Sequence, residues 1–312
     1  MKKYAFGVDI GGTTCKIGFF ETDGNLLEKW EIQTDIEENG KNILPNLIRE
    51  VTRKLQERGI EGDEVEGVGI GVPGAITDGG IAQRCVNLGW EAVNVREAIE
   101  QGTGIRVKVG NDANVAALGE MWQGAAKGCR DVVMVTLGTG VGGGIIVDGR
   151  MVSGFCGAGG EIGHITVNLE ETERCNCGRC GCLEQYASAT GIVRMAKRRL
   201  AQSGEQTRLR AYPTLTAKDI FDAAKAQDEV AVQLVEDVCE ILGVALSNIS
   251  CVANPEIIVV GGGVSKAGDM LIHTLSKHYI EHAFPVCRNT KFVLAGLGND
   301  AGMYGSVQML FD

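Results

Sequence analysis

Apolar residues along this chain come in short runs broken by glycine. Tyr4 to Val8 is one run and Lys16 to Phe20 the next, with Asp9-Ile10-Gly11-Gly12-Thr13-Thr14 between them. Asp23-Gly24-Asn25 marks another turn, so the first 35 residues predict three strands joined by two turns. The period then changes. Ile43, Leu44, Leu47, Ile48, Val51 and Leu55 recur at three-to-four spacing and predict a helix over 41–58. Val65–Val72 reads as a strand that stops at Pro73-Gly74, and Arg106–Val109 as another, leading through Gly110-Asn111-Asp112 into a helix that ends near Met121.

Residues 131–147 repeat the opening theme. A strand, Asp131–Leu137, meets a glycine turn, Gly138-Thr139-Gly140-Val141-Gly142-Gly143-Gly144, and Ile145–Val147 returns. We read this as two related α/β halves, each opening on the same hairpin. Helices are expected over 188–202 and 228–252, and a surface loop over 203–215. A buried strand is expected over 256–260, running into Gly261-Gly262-Gly263, and a terminal helix over 300–310. The 228–252 stripe would make a helix of roughly 35 Å.

The 45 glycines of 312 residues fall in clusters with no G-X-Y period, which marks places where backbone turns tightly or approaches a ligand. The net charge of −10 argues against a nucleic-acid or anionic-membrane partner. No apolar run approaches the roughly 18 residues of a membrane-spanning helix, and Asp9 interrupts the first run too early for a signal peptide. Eleven cysteines without a secretory segment predict a reducing, cytoplasmic setting. Cys15, Cys85, Cys129, Cys156, Cys239, Cys251 and Cys287 are then expected to be buried apolar residues.

Gly138-x-Gly140-x-x-Gly143 matches the dinucleotide fingerprint formally, but a strand rather than a helix follows it, and no Walker A sequence occurs. The better reading is a pair of hairpin cradles whose glycine N–H groups and Thr hydroxyls hold a polyphosphate, with Asp9 placed for hydrated Mg²⁺. Four cysteines lie within Cys175–Cys182, eleven residues after His164. Zinc takes four soft ligands in a tetrahedron, here either His164 with Cys175, Cys177 and Cys182 or all four cysteines. Four protein ligands would make the site structural. Asp112 follows a strand, where it is suited either to cap a helix or to accept a substrate proton. Glu161 and Glu184 flank the cysteine loop and suit sugar hydroxyls.

These stretches resemble the ROK family of sugar kinases and repressors, most closely its bacterial glucokinase branch. The resemblance rests on Asp9–Thr14, Gly71-Val-Pro-Gly74, Val86-Asn-Leu-Gly-Trp90, Asn111–Asn114 with Ala117–Glu120, Leu137–Gly144, Gly157–His164, Cys175–Glu184 and Gly261–Ser265. It implies an actin-like (ribonuclease H-like) duplicated α/β fold with two domains around a cleft. The expected domains are residues 1–112 plus 298–312, the final helix returning to the N-terminal domain, and residues 113–297 with the zinc loop. It implies ATP-dependent phosphorylation of glucose at the 6-hydroxyl, with other hexoses or N-acetylhexosamines (mannose, fructose, allose, N-acetylmannosamine) as the rival substrates and a non-catalytic sugar-sensing protein as a further alternative. Asp112 would be the catalytic base, and Gly74, Asn87, Asn111, Glu161, His164 and Glu184 would bind sugar. Asp9, Gly11, Gly12, Thr13, Thr14, Lys16, Gly138, Thr139 and Gly140 would serve Mg²⁺ and the phosphates of ATP. Gly261, Gly262, Gly263 and Val264 would lie by the adenosine. His164, Cys175, Cys177 and Cys182 would hold zinc, leaving Cys180 out. A homodimer or larger homo-oligomer is expected. The acidic chain opens directly on its first strand, which speaks for a kinase over a DNA-binding repressor.

Overall fold

The computed structural model describes residues 2–311. Its strands, in chain order, are β1 (Tyr4–Ile10), β2 (Thr14–Glu21), β3 (Leu26–Gln33), β4 (Val65–Val72), β5 (Ile81–Ala82), β6 (Val93–Asn94), β7 (Val107–Asn111), β8 (Val132–Leu137), β9 (Val141–Val147), β10 (Arg150–Met151), β11 (Ile257–Gly261) and β12 (Lys291–Leu294). The chain divides into two compact units. One comprises residues up to Gly128, Gly144–Gly160 and those from Gly296 onward, and the other Cys129–Gly143 and Glu161–Ala295.

The first unit is built on a sheet of order β3-β2-β1-β4-β7. β1 to β3 form an antiparallel meander, while β4 and β7 add in parallel beside β1. β4, between β1 and β7, is buried along nearly its whole length, and edge strand β3 alternates half-buried and exposed positions, as one covered face requires. Helices Ile43–Arg58 and Val95–Thr103 pack on each other, and the latter is capped by Asn94, which accepts from Glu97 N–H. The last helix, Ala301–Gln308, lies directly on β1 and β4. Two strand glycines permit this. A Cβ on Gly7 would stand 2.1 Å from the Met303 carbonyl oxygen, and one on Gly69 would stand 1.8 Å from that of Ser306.

The second unit repeats the arrangement. β8 turns into β9, and β11 and β12 add in parallel on the other side of β8. β10 pairs with the far end of β9, which belongs to the first unit. Helix Glu229–Ala253, about 38 Å long at 1.5 Å per residue, packs against helices Ala217–Lys225 and Asp269–His282. Asp228 caps its start, and Asn254, in the left-handed region, ends it.

The units do not divide at the expected 112 and 298. Helix Asp112–Gln123 stays with the first unit because it crosses the last helix backbone to backbone. A Cβ on Gly119 would lie 2.1 Å from Ala301 O. The fully buried Glu120 carboxylate ties the two passages of the chain together. It accepts from Ala125 N at 2.8 Å on the way out, and from Gly296 N at 2.9 Å and Leu297 N at 2.8 Å on the return. The expected loop at 203–215 contains a helical turn, Arg208–Ala211, seated by buried Leu209. The spare thiols split. Cys15, Cys85, Cys239 and Cys287 are buried as expected, whereas Cys129 is half-buried and Cys156 and Cys251 are exposed. No helix among the described residues is long and apolar enough to cross a membrane.

Candidate functional site

In the first unit, the turn after β1 is closed by a bond from Gly11 N to Thr14 O at 3.0 Å. Gly12 and Thr13 are exposed. Thr34, buried at the end of β3, braces the turn from beneath: its hydroxyl donates to Gly11 O at 2.7 Å and its N–H to Thr13 O at 2.9 Å. Nothing local marked Thr34, because its partners lie some twenty residues away. Asp9 stands at the end of β1, pressed by the last helix, where a Cβ on Gly302 would be 2.7 Å from its Cγ. Burial pushes the Asp9 carboxyl above the usual carboxylate range, and the charge of Lys16 opposes that. Lys16 Nζ donates to Asn299 O at 2.9 Å. Asn87, expected among the sugar ligands, lies by the glycine turn, its Cβ 3.7 Å from where a Cβ of Gly12 would be.

At the C-terminal end of β7, Asn111 rather than Asp112 caps the helix: its Oδ1 accepts from Asn114 N at 3.0 Å. Asp112 is the first helical residue, half-buried, with Oδ1 accepting from its neighbour Ala113 N at 2.8 Å. Local pattern alone cannot tell a cap from the residue after it, since Asn and Asp serve both places. Asn111 Nδ2 donates to the carbonyl of Gly74, whose φ of 99° the Pro73-Gly74 turn demands. The thiol of Cys85 donates to Pro73 O at 2.8 Å, so the turn is held from both ends.

In the second unit, the Gly138–Gly140 turn joins β8 to β9, with Gly138 N donating to Gly140 O. Helix Ala189–Gln202 begins against it: Ala189 N donates to Gly138 O, and the Thr190 hydroxyl to Thr139 O at 2.8 Å. Glu184 also reaches this turn. Its Oε2 accepts from Val141 N at 3.0 Å, and a Cβ on Gly140 would stand 2.2 Å from the same oxygen. Its Oε1 lies 3.6 Å from Cys175 Sγ. Glu184 is therefore wedged between the glycine turn and the cysteine loop.

One ligand atom from each of His164, Cys175, Cys177 and Cys182 falls within 4.8 Å of the others. Cys175 Sγ is 3.8 Å from His164 Nδ1, and Cys177 Sγ is 3.6 Å from Cys182 Sγ. Zinc–sulfur bonds of about 2.3 Å in a tetrahedron put sulfurs about 3.8 Å apart, so the donor set fits Zn²⁺ in kind, number and spacing. Cys180 lies outside the group, its thiol 3.7 Å from Thr172 O. Burial pushes the Cys182 thiol up to about 12 and raises that of Cys175, while for Cys177 burial is outweighed by the Arg179 N–H and the neighbouring thiols, which lower it. The loop is clamped to helix Ala189–Gln202 by buried Glu171, which accepts from Arg194 at 3.0 Å, from Arg198 at 2.8 Å and from Tyr186 Oη at 2.8 Å. Glu161 is exposed, one turn before His164.

After β11, Gly262 adopts φ 83°, with β8 so near that a Cβ would be 2.5 Å from Leu137 O. Gly263 and buried Val264 form one wall of a cavity of about 280 Å³, closed by Ala189, Thr216, Ala217 and Phe221. Its lining is mostly apolar, with Lys218, Asp222, Lys225 and Lys266 among the residues around it. Phe221 and Thr216 were missed in the sequence because an ordinary helix supplies them. Of the expected sugar residues, Gly74, Asn87, Asn111 and Asp112 belong to the first unit and Glu161, His164 and Glu184 to the second.

Two α/β units, each opening on a hairpin whose glycine turn ends the central strand, define the fold of the actin-like sugar kinases. The ROK family model matches residues 5–312, and the chain belongs to the ROK family. It is 44% identical over 308 residues to a glucokinase of Halalkalibacterium halodurans, covering 97% of this chain and 93% of that protein. It is 37% identical to a glucokinase of Thermotoga maritima, covering 97% and 96%. Among solved structures, a ROK glucokinase of Streptomyces griseus in complex with glucose and AMPPNP superposes with a TM-score of 0.77 at 32% identity, covering 98% of each chain.

Proposed function

We propose that this protein transfers the γ-phosphoryl group of ATP to the 6-hydroxyl of glucose, giving glucose 6-phosphate and ADP. Support comes from the full-length likeness to glucokinases and from the neighbour that holds glucose with an ATP analogue. The observation that carries the mechanism is Asp112. It is a half-buried carboxylate at a strand end and helix start, one oxygen occupied by Ala113 N–H, in the same unit as Asp9 and the Gly11–Thr14 turn.

In this reading, Asn111, Gly74 and Asn87 of the first unit and Glu161, His164 and Glu184 of the second serve the sugar. The Asp112 carboxylate takes the proton of the 6-hydroxyl as its oxygen attacks the γ-phosphorus, and ADP leaves. Gly11, Gly12, Thr13 and Thr14 in the first unit, and Gly138, Thr139 and Gly140 in the second, donate backbone N–H and hydroxyl groups to the phosphates. Lys16 adds positive charge near them. Asp9 would hold Mg²⁺, which supplies charge neutralisation on the phosphates when bound. Gly261, Gly262, Gly263 and Val264 form the adenosine wall. Zn²⁺, on His164, Cys175, Cys177 and Cys182, supplies a rigid fold to the loop that presents Glu184. The chain works as a homodimer or larger homo-oligomer in this reading.

The test is ADP release with Mg-ATP, scanned over glucose, mannose, fructose, allose and N-acetylmannosamine. A kcat/KM for glucose at least tenfold above the rest, about 1.4 kcal/mol in transition-state binding, is expected. Another sugar in the lead overturns the substrate. No turnover with any sugar overturns the kinase reading.

A further inference from the structure

Between the end of β3 and helix Ile43–Arg58, residues 34–42 reach two loops of the first unit. One end is Thr34, which donates its hydroxyl to Gly11 O and its N–H to Thr13 O beneath the first glycine turn. The other end meets the loop 85–90, which carries Asn87. There the backbone is unusual: Glu38, Asn39 and Gly40 follow one another with φ of 48°, 60° and 67°. Left-handed residues other than glycine normally occur singly, because Cβ crowds the following carbonyl. Such a run persists only where its surroundings fix it, and strain of this kind gathers at working sites.

Here the surroundings are the Asn87 loop. Trp90, nearly fully buried, donates its Nε1–H to Gly40 O at 3.2 Å. A Cβ on Gly40 would stand 2.4 Å from Leu88 O, and one on Gly89 would stand 3.0 Å from Asn39 Cα, so the two backbones meet with no side chain between them. The loop is closed at its base by Cys85 N donating to Trp90 O at 2.8 Å and is rooted by fully buried Leu88. The stretch between the two ends is itself held, since Asp35 accepts from Glu37 N at 3.2 Å and from Asn42 Nδ2 at 2.9 Å. The glycine turn and the Asn87 loop, neighbours at Gly12 and Asn87, share one support.

We propose that residues 34–40 are a brace that sets the Asn87 loop against the phosphate turn, with Asn39 as a positioning residue for phosphoryl transfer. This rests on the proposed function, in which the turn meets phosphate and Asn87 serves the sugar. Asn39 is exposed and supplies a backbone conformation, not a contact with substrate. Asn enters the left-handed region at little cost, and a β-branched residue does not.

The experiment compares Asn39→Val with Asn39→Gly. Asn39→Val is expected to raise KM for glucose about fivefold or more and to lower kcat per competent site, counted from the AMPPNP stoichiometry in calorimetry, with AMPPNP affinity held within about twofold. Asn39→Gly is expected to match the unchanged chain. Thr34→Val removes the donor to Gly11 O and is expected to weaken AMPPNP about fivefold or more with glucose affinity held within about twofold, Thr34→Ser restoring it. Hydrogen exchange read by mass spectrometry needs no turnover: Asn39→Val should speed exchange in 85–90, and Thr34→Val around Gly11. Unchanged kinetics in Asn39→Val overturn the proposal. So does an Asn39→Gly that fails as badly as Asn39→Val, since the side chain would then matter and not the backbone. A loss confined to the number of competent sites, with per-site constants unchanged, makes the segment merely structural and overturns it too. If Asn39→Val does not fold, Asn39→Ala, less averse to the left-handed region, takes its place. If the unchanged chain turns over no sugar, the proposed function falls by itself. Exchange then decides the brace: faster exchange in 85–90 keeps it, and unchanged exchange overturns it.

Discussion

The two glycine turns arise from the same hairpin and are supported in opposite ways. In the first unit, the acidic group belongs to the strand itself: Asp9 is the penultimate residue of β1, and the turn is stiffened from below by a neutral hydroxyl, Thr34. In the second unit, the strand offers no carboxylate. One arrives from 43 residues further on, when Glu184 accepts the N–H of Val141. That carboxylate depends in turn on the cysteine loop beside it and on the Glu171 clamp behind it. The first turn is thus fixed by local backbone geometry, and the second by long-range packing around a candidate metal centre. Damage to the second should therefore propagate from farther away.

The largest effect expected is at Asp112, the group that breaks the symmetry between units. Asp112→Asn keeps size and the acceptor toward Ala113 but cannot take the proton. The expected outcome is a fall in kcat of about 10²–10⁴-fold with little change in glucose affinity by calorimetry. Normal turnover would remove the base from the mechanism.

Next comes the dependence of the second turn on its loop. Cys177→Ala should release zinc, from about one ion per chain by mass spectrometry to none, and raise KM for glucose on the order of tenfold through Glu184. Retention of a full equivalent of zinc would reassign the ligands.

A matched pair of glycine substitutions compares the turns directly. In Gly140→Ala the new methyl meets Glu184 Oε2 at 2.2 Å, so the carboxylate must swing away, while in Gly12→Ala the nearest atom is 3.7 Å off. Gly140→Ala should raise KM for glucose roughly tenfold, the cost of about one misplaced hydrogen bond, and Gly12→Ala should leave it unchanged. Equal effects would mean that Glu184 does not couple turn to sugar.

The smallest effect concerns the clamp. The bonds from Arg198 hold the Glu171 carboxyl far below its ordinary 4.5, against the opposing effect of burial, with the Glu173 N–H and the Tyr186 hydroxyl helping. A depressed carboxylate stabilises the fold above its unfolded value and loses that contribution as pH falls toward its folded value. Melting temperature should therefore drop below about pH 4.5, and Glu171→Gln should flatten that acid limb while lowering the neutral melting point by a few degrees, for about 1–3 kcal/mol. An unchanged acid limb in the variant would place the acid sensitivity elsewhere.

Much of this site was legible because its chemistry is local. Asp9–Thr14 and Gly138–Gly144 are turns that their glycines and threonines mark, and four cysteines in eight residues with a nearby histidine mark a cluster of soft donors. The strands and long helices followed from the period of apolar residues, because burial of one face imposes it. The choice between His164 and Cys180 was not local. Spacing allowed both, and the fold of the loop turned Cys180 toward Thr172 and His164 toward Cys175.

What remained hidden depends on neighbours far apart in sequence. Thr34 under the first turn, Glu120 across both passages of the chain and Phe221 in the cavity beside Gly263 each join elements separated by tens to hundreds of residues. The unit boundaries belong with them, since Gly119 and Gly305 bind the helix after Asp112 to the end of the chain. The sequence by itself determined the hairpins, the soft-donor chemistry of the Cys/His cluster and the family. Only the tertiary structure decided which carboxylate supports which turn, because burial and hydrogen bonding are settled by packing, whereas turns and ligand types are settled by the residues themselves.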